Sequence, residues 1–176
     1  MEKQNITFRK LRDSKEDYIK LYKWCKREFV YEWFEQSILS YDEIVNKYKN
    51  KLKNKIQELY IIRSNNKDIG LVQIYKYEND IDLDLYKYKN IYEYDLFIGE
   101  EEYLNKGIGK KIINNINEII YKKYKADSII LRPFKRNIRA IKCYESCGFN
   151  KIYEYIDKDT IGKKENILVL INRNEV

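Results

Sequence analysis

IYEYDLFIGEEEYLNKGIGKKIINNINEII, residues 91–120, changes its period partway along. Residues 91–99 alternate and are rich in β-branched and aromatic side chains, the pattern of a strand. From Gly109 onward, Ile112, Ile113, Ile116, Ile119 and Ile120 recur at helical spacing. At the join, Asn105-Lys106-Gly107-Ile108-Gly109-Lys110, two glycines fall where a helix begins and its first four backbone amides lack intrahelical partners. The spacing predicts a strand, a turn and a helix, with the turn offering amides and the positive end of the helix dipole to an anion. A lone charge there gains roughly 0.3–1 kcal/mol, and a diphosphate meeting several amides gains more. The turn is neither of the two commonest phosphate loops: GxxxxGK[ST] is missing, and GxGxxG would need a glycine where Ile112 stands.

About thirty residues on, Asn137-Ile138-Arg139-Ala140-Ile141-Lys142-Cys143-Tyr144-Glu145-Ser146-Cys147-Gly148-Phe149 has the form NxxAxxxYxxxGF, a short helix ending at a glycine and entering a strand. A strand, a (Q/R)xxGxG-type turn and a long helix, followed by NxxAxxxYxxxGF, resemble the GNAT superfamily of acetyl-coenzyme A dependent N-acyltransferases. Within it, YDLFIGEEEYLNKGIGKKII and RAIKCYESCGF are similar to the aminoglycoside 6'-N-acetyltransferases, a likeness running from about Trp24 to Phe149.

The resemblance implies an α/β (α+β) GNAT fold: a mixed, mostly antiparallel sheet of about six to seven strands, splayed at the cofactor site and flanked by about four helices. It implies acetyl-CoA as cosubstrate and no metal. The amides of Asn105, Lys106, Gly107, Ile108, Gly109 and Lys110 would hold its pyrophosphate. Backbone of Phe97 and Ile98 would pair with pantetheine, and Asn137 and Ala140 would hold the cofactor from the neighbouring helix. Tyr144 would protonate the departing thiolate. Asp95, fourteen residues before Gly109, would orient or deprotonate the acceptor amine, with Tyr92 beside the acceptor. The segment after the first helix lines the acceptor groove in this family, which makes Glu32, Trp33 and Glu35 candidate acceptor contacts.

Two positions depart from the pattern. Leu104 occupies the (Q/R) position, where contacts are mainly backbone. Arg132, in LRPFKRN, stands where the aminoglycoside enzymes carry an acid before the proline, and a cation facing the groove would repel a cationic sugar.

The remaining composition narrows the class. A chain of 176 residues with 44% apolar content suits a single domain, residues 1–176, with a core that needs no staples. Three cysteines, Cys25, Cys143 and Cys147, and no histidine argue against disulfides and structural zinc. The charge of +7 is spread among acids, Asn and Tyr without a basic stripe, which argues against nucleic acid. No apolar run approaches a membrane span or a signal-peptide core, so the expected place is the cytoplasm.

Along the chain, residues 6–11 read as an edge strand, and Ser14 can cap a helix reaching about Arg27. FVYEWF, residues 29–34, is an aromatic cluster that suits the core or, by the resemblance, the acceptor groove. Ser40-x-x-Glu43 has the capping-box form and predicts a helix to about Lys53. Residues 59–62 and 70–77 read as a hairpin around the five-residue link 64–68. Glu78, Asp80, Asp82 and Asp84 form a local acidic run able to attract a cation within about 10 Å. Residues 128–131, 153–155 and 166–171 read as three further strands.

The combined reading is acetyl transfer to a small cationic amine, with the 6'-amine of an aminoglycoside favoured, by a monomer or homodimer. The alternatives are a protein N-terminus, a polyamine or a siderophore precursor as acceptor, or a coenzyme A binding module without chemistry. Retention of both Asp95 and Tyr144 argues against the last.

Overall fold

The computed structural model describes residues 4–54, 57–78, 88–158 and 162–173. Of the acidic run, Glu78 is exposed, whereas Asp80, Asp82 and Asp84 lie outside the described residues. The contacts divide the chain into two compact units, residues 1–74 with 95–106, and residues 75–94 with 107–176.

The first unit begins with strand β1 (Ile6–Lys10) and helix α1 (Lys15–Cys25), whose N-terminus is capped by Ser14 accepting from the Asp17 amide. The aromatic cluster forms no strand. It is a three-residue helix α2 (Glu28–Val30) running into a π-helical turn (Tyr31–Glu35), closed by the Gln36 amide donating to the Tyr31 carbonyl. Gln36 ends it in the left-handed conformation at φ 58°. Helix α3 (Tyr41–Asn54) opens with the expected capping box: the Ser40 amide donates to Glu43 at 2.7 Å, and the Glu43 amide donates to Ser40 Oγ at 3.3 Å.

Strands β2 (Gln57–Ser64) and β3 (Lys67–Lys76) are longer than the sequence suggested, so their link is Asn65-Asn66 rather than five residues. Both asparagines have positive φ, 46° and 67°, which suits the twist of a tight hairpin. The unit closes with the second half of β4 (Ile91–Ile98) and a 3₁₀ turn (Glu101–Tyr103).

Its core gathers Leu21, Trp24, Ile44, Tyr48, Ile61, Leu71 and Phe97. Large apolar side chains of this kind contribute about 1.5–3 kcal/mol each when fully buried. Trp24 and Phe34 both meet the Phe97 ring edge-on, at 6.1 and 4.7 Å between centroids. The Trp24 ring occupies the space that a Cβ on Gly99 would need, and the Trp24 indole donates to Glu100 at 2.9 Å.

The second unit takes the first half of β4, then α4 (Ile108–Tyr124), β5 (Ser128–Leu131), α5 (Ile138–Glu145), β6 (Asn150–Lys158) and β7 (Lys164–Arg173). Of the predicted stripe on α4, Ile112, Ile113, Ile116 and Ile120 are buried and Ile119 is half-buried, while Ile108 and Asn117 are buried as well. The sheet runs β1-β2-β3-β4-β5-β7-β6. β5 joins β4 in parallel, and β7 pairs antiparallel with both β5 and β6. The β4–β5 ladder runs from Ile91–Ser128 to Glu93–Ile130, while β4 itself continues to Ile98. Among the described residues this is the mixed, seven-stranded sheet that the resemblance implied, with four longer helices plus the short α2.

Candidate active site

In the first unit, half-buried Asp95 accepts a hydrogen bond at Oδ2 from Gln73 Nε2 at 3.3 Å. Gln73, on β3 and only 4% exposed, accepts at Oε1 from Lys51 Nζ of α3 at 2.6 Å. Lys51 also lies over the Tyr48 ring, 5.7 Å from its centroid. Burial, with Lys47 nearby, lowers the Lys51 ammonium from its usual range.

Glu35 ends the π turn with its carboxylate inside the unit, the side chain 1% exposed. It pairs with Lys47, accepts from Tyr48 Oη at 3.1 Å and from Cys25 Sγ at 3.7 Å. Burial, reinforced by the Glu35 charge, pushes the Cys25 thiol up to about 12. These contacts commit Glu35 to holding the turn against α1 and α3. Glu32 and Trp33 are half-buried on the same turn. Phe97 is buried, and Ile98 is half-buried beside it.

Of the two glycines in the turn between β4 and α4, Gly107 is left-handed at φ 71°, whereas Gly109 already lies inside the helix; the other left-handed residue is Asn105 at φ 58°, which the sequence had not marked. Gly107 is the N-cap of α4 and carries no side chain, so no capping group competes for the first amides of the helix. Asn105, Lys106, Gly107 and Lys110 are exposed, whereas Ile108 is buried. Gly109 has a further constraint that its sequence did not show. A Cβ there would stand 3.2 Å from Cys143 Sγ of α5, so its smallness also serves helix packing.

On α5, Asn137 Oδ1 accepts from the Ala140 amide at 3.2 Å, which caps the helix; Ala140 is half-buried. Tyr144 is half-buried in the last turn, its ring meeting Phe149 at 6.0 Å and 61°. Tyr92 stacks on Tyr124 of α4 at 4.9 Å and 27°. Tyr94 lies on the same side of the strand by alternation, donating to Asn117 of α4 at 3.1 Å. Leu104 is half-buried.

Arg132 meets a carboxylate. Its Nε donates to Glu93 Oε1 at 2.7 Å and Nη2 to Oε2 at 2.9 Å, and its guanidinium lies 5.9 Å from the Tyr77 ring centroid. Its partner acid comes from β4. Glu93, Gln73 and Lys51 were not singled out by sequence reading, although a glutamine in the apolar run GLVQIY and a glutamate inside β4 are polar interruptions that mark positions needing partners.

Among the described residues, no group of His, Cys, Asp or Glu could hold a metal ion, and no helix is long and apolar enough to cross a membrane.

The acetyltransferase (GNAT) domain family matches residues 13–156. The aminoglycoside N(6')-acetyltransferase type 1 of Klebsiella pneumoniae is 25% identical over 146 residues, covering 77% of this chain and 70% of that protein. The structure of AAC(6')-Ib in complex with paromomycin and acetyl-CoA superposes with a TM-score of 0.81 at 22% identity, over 97% of this chain and 94% of that one. The spermidine N-acetyltransferase of Vibrio cholerae, in complex with CoA and spermine, gives 0.77 at 18% identity, over 96% and 95%. Since the family match spans residues 13–156, most of its length, this chain belongs to the GNAT acetyltransferases.

Proposed function

We propose that this acetyltransferase transfers the acetyl group of acetyl-CoA to a primary amine of a small cationic acceptor, with the 6'-amine of an aminoglycoside as the favoured acceptor. Acetyl-CoA supplies an activated thioester carbonyl. The amides opening α4 suit its diphosphate, because Gly107 leaves them without a side-chain cap. The backbone of Phe97 and Ile98 is assigned to pantetheine. Asn137 and Ala140 are assigned to the cofactor from α5, Asn137 already capping that helix.

Asp95 takes a proton from the acceptor ammonium, directly or through water; the neutral amine then forms the new C–N bond as the C–S bond breaks, and the new amide nitrogen releases its remaining extra proton to solvent. Tyr144 gives its phenolic proton to the leaving thiolate. Glu32 and Trp33 are proposed as acceptor contacts. Glu35 is assigned a supporting place beneath them, given its burial.

The observation that carries the cationic acceptor is the pairing of Arg132 with Glu93, which offsets the charge that would oppose a cationic sugar. A second reading, a polyamine acceptor, is favoured by the likeness to the Vibrio cholerae spermidine enzyme. Release of free thiol from acetyl-CoA, followed with kanamycin, spermidine, a peptide N-terminus and an uncharged amine, separates the readings. Turnover on kanamycin above the others supports the first. Turnover confined to the peptide or the uncharged amine overturns the cationic acceptor.

A further inference from the structure

The first unit contains a polar line: Lys51 on α3, Gln73 on β3 and Asp95 on β4, joined by hydrogen bonds of 2.6 and 3.3 Å. A primary amide has two ends, and which end faces a neighbour is set by that neighbour's chemistry. An ammonium only donates, so Lys51 fixes Gln73 Oε1 toward itself. The amide NH2 is thereby turned to Asp95, a carboxylate that only accepts. Gln73 is 4% exposed, so water has little access to substitute for either partner.

We infer that Lys51 is a positioning residue, which acts through the Gln73 amide to hold the Asp95 carboxylate in one orientation for the acceptor amine. This rests on the assignment of Asp95 as the group that handles the amine. The lysine is itself held. Its ammonium lies over the Tyr48 ring, and Tyr48 in turn donates to the buried Glu35 that pairs with Lys47. The chain of contacts therefore reaches from the π turn to Asp95. The burial of Lys51 makes its amide partner more valuable than a contact in water would be.

The test compares Lys51→Met, which keeps length and removes the donor, with Lys51→Arg, which keeps a donor of fixed charge, and with Asp95→Asn. The expected result with kanamycin or spermidine is a kcat about tenfold lower in Lys51→Met, with the KM for acetyl-CoA and the thermal midpoint near wild type. Lys51→Arg should recover most of that loss. The double variant Lys51→Met/Asp95→Asn should be no slower than Asp95→Asn alone, since the lysine acts only through the aspartate.

A readout without substrate accompanies these rates: the Gln73 carboxamide protons should exchange slowly in wild type and Lys51→Arg, and quickly in Lys51→Met. Wild-type kcat and slow carboxamide exchange in Lys51→Met would overturn the inference, as would losses that multiply in the double variant. Where Asp95→Asn alone leaves turnover intact, the assignment of Asp95 fails and this inference fails with it. Where Asp95→Asn abolishes turnover but Lys51→Met does not, only the inference about Lys51 fails.

Discussion

Arg132 and Glu93 face each other through two parallel hydrogen bonds, 2.7 and 2.9 Å long, with the glutamate side chain 3% exposed and the arginine 21%. Bidentate pairs of this geometry are among the stronger charge-assisted contacts. Removing one member of a fully buried pair costs roughly 3–5 kcal/mol, because the other charge is left in low dielectric. Arg132 keeps some contact with solvent, so Glu93→Gln is expected to cost less, about 2–3 kcal/mol. Chemical denaturation should show this as a lower midpoint at unchanged slope. An unchanged midpoint would mean that water replaces the pair without loss.

Tyr144→Phe removes one oxygen and leaves the ring contact with Phe149 in place. If the phenol protonates the thiolate, turnover falls by about 10² or more, while coenzyme A affinity measured by calorimetry stays near wild type. Turnover within a few-fold of wild type would pass that proton to water or another group.

Gly109 separates two constraints. Gly109→Val should destabilise the fold, because its Cβ would stand 3.2 Å from Cys143 Sγ and a β-branched side chain adds bulk to that contact. In a Cys143→Ala background part of that stability loss should disappear. Coenzyme A affinity should nevertheless stay at least about tenfold reduced, since the added side chain still opposes the close approach of diphosphate to the backbone. Affinity restored together with stability would show that the glycine serves packing alone.

Acid should unfold the first unit partly through Asp17. Burial pushes its carboxyl upward, but hydrogen bonds from Arg9 and Arg12 outweigh this and hold it well below the usual carboxylate range. Asp68, bonded to Arg9 and Lys20, is also lowered. A carboxyl lowered in the folded state contributes stability above its unfolded value of about 3.9, and that contribution is lost as pH falls through the folded value. The thermal midpoint should therefore drop as pH falls below about 4. Asp17→Asn should lower the midpoint at pH 7 and flatten the acid slope; a variant with the wild-type slope would assign acid sensitivity to other groups.

Features that depend on neighbours in sequence were legible before the structure. Ser14, the Ser40–Glu43 box and the turn at Gly107 are local, and each announces itself through residue types within four positions. The α4 stripe was equally plain, because five isoleucines at helical spacing leave no other period. Residues 29–34 were not legible. Their aromatic side chains fit helix and strand alike, and only contacts with α1 and α3 select the π turn and bury Glu35.

The same limit hid the partners of the site residues. Glu93 and Arg132 are 39 positions apart, Lys51 and Gln73 are 22 apart, and Gly109 approaches Cys143 only because α4 packs on α5. Asp95 and Tyr144 could be named from motif position. What holds Asp95 had to come from β3 and α3.

The Trp24 ring filling the space beside Gly99 has a consequence for how the chain can change over generations. No side chain can be added at position 99 while the indole remains, whereas a smaller residue at position 24 leaves a cavity that the chain can survive at some cost in stability. The two positions can therefore exchange bulk in one order only, with 24 shrinking before 99 grows. The intermediate must also give up the indole hydrogen bond to Glu100. A lineage can therefore enter or leave this arrangement only through a weakened intermediate in which both positions are small.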